Sequence, residues 1–279
     1  MVAARRKPKQ ERFDVLVADW LDGLVSQNTR DAYRRDLAAF NDWCGGEGDA
    51  PLSAGTDDID RYRDACSDGG ARQATIARRL SALSSFYEHA CQAEAVGSNP
   101  VEQVHRPARS DTPAPSLDDQ QAARLFAAAE ALGSKVAVLV GLLLWDGMKL
   151  GEALGLDVEQ IEKARGGLQA TVSRRGESRP VPLDRRTANA IRHYLDGRAE
   201  GPLLVGDSPT QQAGMRLTRF GADFLVKQAA DQAGLGRAVS ANTLRRSYIT
   251  TARRNGTSVD DIQRHVGHST SRDTRRYIT

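Results

Sequence analysis

Apolar residues recur every three or four positions at the start of the chain, at Phe13, Leu16, Val17, Trp20, Leu21 and Leu24. That period predicts an amphipathic helix. Ser26 or Asn28 is placed to cap a second helix over Thr29–Trp43, striped by Tyr33, Leu37 and Phe40. The run GGEGDAPLSAG at 45–55 breaks the pattern. Helices resume over Thr56–Ser67 and over Gln73–Glu94, the latter with Ile76, Leu80, Leu83 and Phe86 on one face. The first hundred residues therefore read as an all-helical unit.

Between Asn99 and Gln120 lie Pro100, Pro107, Pro113 and Pro115. Each proline fixes φ and removes a backbone donor, so this stretch predicts an extended linker between domains. The expected divisions are a basic tail at 1–12, a helical domain at 13–105, a proline-rich linker at 106–116 and a second domain at 117–279. Ser116 is expected to cap a helix ending near Leu132, and further helices run to about Leu156. Val136–Leu144 is apolar throughout but far short of the roughly 20 residues of a membrane span, so it reads as a buried helix. LQATVS (168–173) and SRPVPL (178–183) alternate like strands around the turn-prone RRGE, which predicts a hairpin. Helices follow at Asp184–Leu195, Arg216–Ala233, Asn242–Asn255 and Ser258–Val266, with a last turn or two around Tyr277. The fold class is mainly α with a small β-sheet, an all-helical domain followed by a mixed α+β domain.

Composition adds limits. The 279 residues are 40% hydrophobic, enough for two cores. The formal charge is only +3, but the basic residues gather at the ends. Arg5, Arg6, Lys7, Lys9 and Arg12 are opposed by Glu11 alone. From Ser240 onward eight arginines face three acids, Asp260, Asp261 and Asp273. Such blocks suit a polyanionic partner, although solvated helix faces account for them equally well. Cys44, Cys66 and Cys91 are odd in number and lack zinc-site or disulfide spacing, so they read as reduced thiols of a cytoplasmic protein. No signal-peptide core is evident. His265 and His268 lack the neighbouring carboxylates that would complete a metal site. Neither a metal nor a small-molecule cofactor is expected.

Four stretches carry chemistry when taken together: WDGMKLGEALGL (145–156), SRRGESRPVPL (173–183), SANTLRRSYIT (240–250) and HVGHSTSRDTRRYIT (265–279). In order and spacing they resemble the tyrosine recombinase (phage-type integrase) family. Its boxes read G-L-R-x-G/S-E-x-L-x-L, a hairpin ending R-x-V-P-L, H-x-L-R-H/R, and L-G-H followed nine residues later by tyrosine. SQNTRDAYRRDL (26–37) and NPVEQVHRP (99–107) resemble the family's core-binding domain.

The resemblance implies two domains clamped around duplex DNA and a homo-tetramer on paired sites exchanging strands through a Holliday junction, with no membrane partner. It casts Tyr277 as the nucleophile that forms a 3′-phosphotyrosine link, and Arg245 as a clamp arginine. His268 becomes a phosphate-region hydrogen-bonding group, and Glu152 a supporting acid. Three positions depart from the pattern. Lys149 stands at the first clamp arginine, Arg174 at the hairpin lysine that acts as general acid, and Asn242 at the histidine before the second arginine. Lysine keeps charge without the bidentate fork, guanidinium is a poor proton donor, and an amide cannot shuttle a proton. An alternative is therefore an impaired or inactive DNA-binding relative, its departures natural or engineered. Taken singly, the same residues have plainer readings. Tyr277 suits an exposed surface, the last stretch a helix-turn-helix, and the Arg72–Arg79 strip either DNA or water. About a dozen residues precede Phe13 and two follow Tyr277, so an arm-type domain and a C-terminal docking helix are expected to be missing.

Overall fold

A computed structural model describes residues 8–48, 50–106, 115–174, 176–206, 214–236, 238–268 and 270. The chain divides into two compact units, 1–111 and 112–279.

The first unit contains α1 (Pro8–Asp22), α2 (Gln27–Glu47), α3 (Thr56–Asp68) and α4 (Gln73–Gln92). α1 starts five residues ahead of its apolar stripe, because a helix continues through polar residues that bury nothing. The predicted stripes converge in one core, where Leu37, Phe40, Ile59, Ile76, Leu80, Leu83 and Phe86 are buried. Aromatic rings interlock there, with Phe40 edge-on to Tyr62 at 5.0 Å and Trp20 stacked on Tyr33 at 5.5 Å. The Tyr87 hydroxyl donates to the Pro51 carbonyl at 2.6 Å, tying the break after α2 to α4. The exit segment closes the core with Val101 and Val104, after the Asn99 side chain accepts from the Val101 N–H.

Arg78 and Arg79 each bind a buried group of the protein. Arg78 pairs with Asp36, which is almost wholly buried, and Arg79 donates to Cys66 Sγ at 3.0 Å. Burial pushes the Asp36 carboxyl above its ordinary range despite the pull of Arg78.

The second unit is built on α6 (Ser134–Leu144), which is buried from Val136 to Leu144 and packs against α5 (Asp119–Leu132), α8 (Arg185–Leu195), α9 (Arg219–Gln232) and α10 (Ala241–Arg254). A helix apolar on every side needs neighbours all round, and α6 has them. α7 (Leu150–Gly155) leads into an antiparallel sheet of β1 (Ile161–Ala164), β2 (Gly167–Arg174) and β3 (Glu177–Pro182), in that order. β2 and β3 are the expected hairpin, with Val172 opposite Arg179 and Ala170 opposite Val181. β1 was not expected, since IEKA lacks an alternating pattern and lies at the sheet edge. α9 begins three residues later than its apolar pattern suggests. Thr218 caps it, accepting from the Gly221 N–H, while Arg216 binds both carboxylate oxygens of Asp157 at 2.6 and 2.8 Å. α11 (Val259–Val266) closes the described part, capped by Ser258 and ended by Gly267 in the left-handed region at φ +63°. No described helix is long and apolar enough to cross a membrane.

Candidate active site

The site assembles where α11 ends. The last carbonyls of a helix have no partner within it, and the helix dipole makes that end negative. Here three consecutive carbonyls each receive a different cation. Arg179 Nη1 donates to His265, Arg245 Nη2 to Val266 at 2.6 Å, and Lys149 Nζ to Gly267 at 3.0 Å. His268 is the next residue, half-buried, its N–H donating to the Gln263 carbonyl at 3.2 Å.

Glu152 links these cations from the other side. Its Oε2 accepts from the Lys149 N–H at 2.9 Å and from Arg179 Nη2 at 3.0 Å, and lies 3.8 Å from Arg245 Nη1. The first contact is also a helix cap. Lys149 precedes α7 and Glu152 is its third residue, so the carboxylate closes the N-terminus while neutralising the cluster. The Arg245 side chain is only 5% exposed and that of Glu152 only 6%. Burying a guanidinium is costly unless its donors are satisfied. Arg245 meets that demand with the Val266 carbonyl, the Gly147 carbonyl at 2.6 Å and the nearby carboxylate.

The turn before Lys149 is held separately. Gly147 has φ +61°, and a Cβ there would lie 2.8 Å from Cγ of the Tyr248 ring, so only glycine fits. Tyr248 in turn stacks on His265, with centroids 4.9 Å apart. His265 Nε2 lies 2.9 Å from the Asp146 carbonyl, and burial holds its imidazole toward the neutral form. Burial also pushes the Tyr248 phenol up to about 12, which makes it a poor nucleophile at neutral pH. Asp146 is buried too. Its Oδ1 accepts from the Asp184 N–H at 2.6 Å, yet burial dominates and raises its pKa to about 8.

Of the residues expected from the sequence, Lys149, Arg245, Glu152 and His268 meet at this point. Asn242 lies exposed on the first turn of α10, one turn ahead of Arg245. Arg174 ends β2, its backbone opposite Glu177 at the hairpin tip. Tyr277 lies outside the described residues, as does the arginine-rich stretch 272–276. Among the described residues no group of three or more His, Cys, Asp or Glu is arranged to hold a metal.

Sequence reasoning used Arg179 only as the landmark of R-x-V-P-L and passed over its contacts. A signal was present. Strand alternation puts Arg179 on the face of buried Val181, opposite buried Val172, and a cation there requires an acid. His265, Asp146 and Tyr248 left no comparable mark.

Residues 115–279 match the phage integrase family, and residues 20–94 match the phage integrase N-terminal SAM-like domain. Tyrosine recombinase XerD of Pseudomonas aeruginosa is 30% identical over 278 residues, spanning 97% of this chain and 92% of that protein. Two solved structures share the fold at 16% identity each. One is the XerH site-specific recombinase bound to palindromic difH substrate in a post-cleavage complex, with a TM-score of 0.74 over 89% of this chain and 75% of that one. The other is a lambda integrase dimer bound to a COC′ core site, with a TM-score of 0.70 over 99% of this chain and 82% of that one. On its sequence, over most of its length, the chain belongs to the phage integrase (tyrosine recombinase) family.

Proposed function

We propose that this protein is a site-specific recombinase that cleaves and rejoins duplex DNA through a 3′-phosphotyrosine link. The observation that carries the reading is the meeting of Arg245, Lys149 and His268 at the end of α11, nine residues before Tyr277. The Tyr277 phenol loses its proton to water, its oxygen attacks the scissile phosphorus, the P–O5′ bond breaks, and the 5′-oxygen leaves as a hydroxyl on taking a proton from water. Phosphodiester bond energy is retained in the tyrosine ester, so the reverse attack rejoins a strand without ATP. Arg245 and Lys149 hold the phosphate charge, His268 and Asn242 hydrogen-bond to it, and Arg174 approaches from the hairpin. The helical domain at 13–105 adds backbone contacts, and the working assembly is a homo-tetramer on paired sites in the cytoplasm. Affinity falls steeply with salt.

A second reading, an impaired relative that binds DNA without efficient turnover, is favoured by Lys149, Arg174 and Asn242 at the three departing positions. One experiment separates the two. A duplex site is selected from a randomised pool by binding to the chain, then nicked beside the scissile phosphate so that religation is blocked. A covalent adduct that disappears in Tyr277→Phe supports the recombinase. Tight binding with no adduct supports the second reading.

A further inference from the structure

Arg179 belongs to none of the roles above, yet it touches three parts of the site. One amino group is bound to Glu152 and the other to the His265 carbonyl. Its guanidinium rests on Gly267, where an added Cβ would lie 2.7 Å from Nε and 3.3 Å from Cζ. The residue after Gly267 is His268. The residue sharing Glu152 on one side is Lys149, through its N–H, and on the other Arg245. Arg179 also stands on β3 of the hairpin whose partner strand ends at Arg174.

We propose that Arg179 is a positioning residue for strand cleavage. It acts on His268 through the His265–Gly267 backbone, on Lys149 and Arg245 through Glu152, and on Arg174 through the hairpin. Its guanidinium is engaged by a carboxylate, a carbonyl and a glycine backbone. The planar fork is what the place demands. It spans two acceptors on different elements, α7 and α11, while lying flat on a residue without a side chain. A lysine at 179 keeps the charge but reaches one acceptor at a time.

This inference rests on the recombinase reading for its effect on cleavage, whereas its effect on His268 stands independently. The full chain labelled with ¹⁵N-histidine gives five imidazoles to follow, at His89, His105, His193, His265 and His268. The last is assigned by its loss in His268→Gln. In Arg179→Met the His265 and His268 signals are expected to move, while those of His89, His105 and His193 stay in place. On the selected, nicked duplex, the rate of adduct formation at saturating DNA should fall about tenfold or more, with half-saturation changed less than twofold. Arg179→Lys should fall between Arg179→Met and the parent chain in both measurements. An unmoved His268 signal overturns the proposal, and so does a cleavage rate within twofold of the parent. If Arg179→Met does not fold, Arg179→Lys alone decides, and parental signals and rate in that variant overturn it. Absence of any adduct from the parent chain counts against the recombinase reading, and the imidazole signals then still decide whether Arg179 positions His268.

Discussion

Lys149 Nζ donates to the Gly267 carbonyl at 3.0 Å, joining residues 118 apart in sequence. Lys149, the lysine proposed to hold the phosphate, thus also caps the end of the helix that leads to His268. Removing its charge by Lys149→Met leaves the Gly267 carbonyl without this donor and removes one cation from the phosphate. Adduct formation is expected to fall about 100-fold, the usual cost of losing one donor to a transition-state oxyanion. Binding of the same duplex should weaken only modestly and show a shallower salt dependence. Single-turnover cleavage and a salt titration of affinity measure the two effects.

Glu152 is the acid of a cluster that otherwise holds Lys149, Arg179 and Arg245. Replacing it with alanine takes the neighbouring carboxylate from the buried Arg245 guanidinium and removes the α7 cap. Breaking one side of a buried pair costs about 3–5 kcal/mol. For a unit of this size that corresponds to a melting temperature lower by roughly 10 °C. Glu152→Gln keeps a hydrogen-bond acceptor and should lose less. Calorimetry of the full chain separates the variants, with the second unit moving and the first unit unchanged.

Much of this architecture was legible in the sequence, for reasons visible in particular residues. Phe13 to Leu24 and Ile76 to Phe86 are helical stripes whose period alone fixes which face is buried, and the core of the first unit uses both. The hairpin followed from alternation about RRGE, and α6 from an apolar run too short for a membrane. The site was legible only in part. Lys149, Glu152, Arg245 and His268 lie in four short boxes, so their types and order could be matched. The capping of three α11 carbonyls by three cations was hidden, because it joins residues 21 to 118 positions apart. β1 was hidden for the opposite reason, since an exposed edge strand needs no apolar alternation. The Arg72–Arg79 strip also holds a buried acid, Asp36, which charge alone did not show.

Asp146 sets a pH dependence of stability opposite to that of an ordinary paired carboxylate. Burial raises its folded pKa to about 8, against 3.8 unperturbed. The folded chain therefore holds this proton more tightly than the unfolded chain. Its contribution to stability is complete below about 3.8 and is lost as pH rises through about 8. Asp146→Asn carries no titrating proton at this position and so lacks this contribution. The melting temperature of Asp146→Asn relative to the parent should thus rise from pH 5 to about pH 8 and level off above it. His265 titrates the other way, since its folded pKa is lowered and it destabilises the fold as pH falls below its ordinary 6.5. That contribution is common to both chains and cancels in the difference. A difference independent of pH would contradict the assignment.

The three departures from the family pattern differ in what restoring them should do. Lys149→Arg supplies a fork at a position where Nζ already reaches the Gly267 carbonyl, so a second amino group becomes available to a phosphate oxygen. Arg174→Lys replaces a guanidinium, a very poor proton donor, by a group able to release a proton to the leaving 5′-oxygen. Asn242→His puts a titratable ring on the exposed first turn of α10, one turn from Arg245, where no packing has to change. Each gain depends on the others because they serve one transition state, so single restorations should give little and the triple variant much. Adduct formation by the triple variant is expected to exceed that of the parent chain by about 100-fold or more, the scale of one general-acid contribution. The gain should come with a pH profile that falls at high pH as the new lysine deprotonates. A triple variant no faster than the parent would mean that Lys149, Arg174 and Asn242 are already matched to the reaction this protein performs.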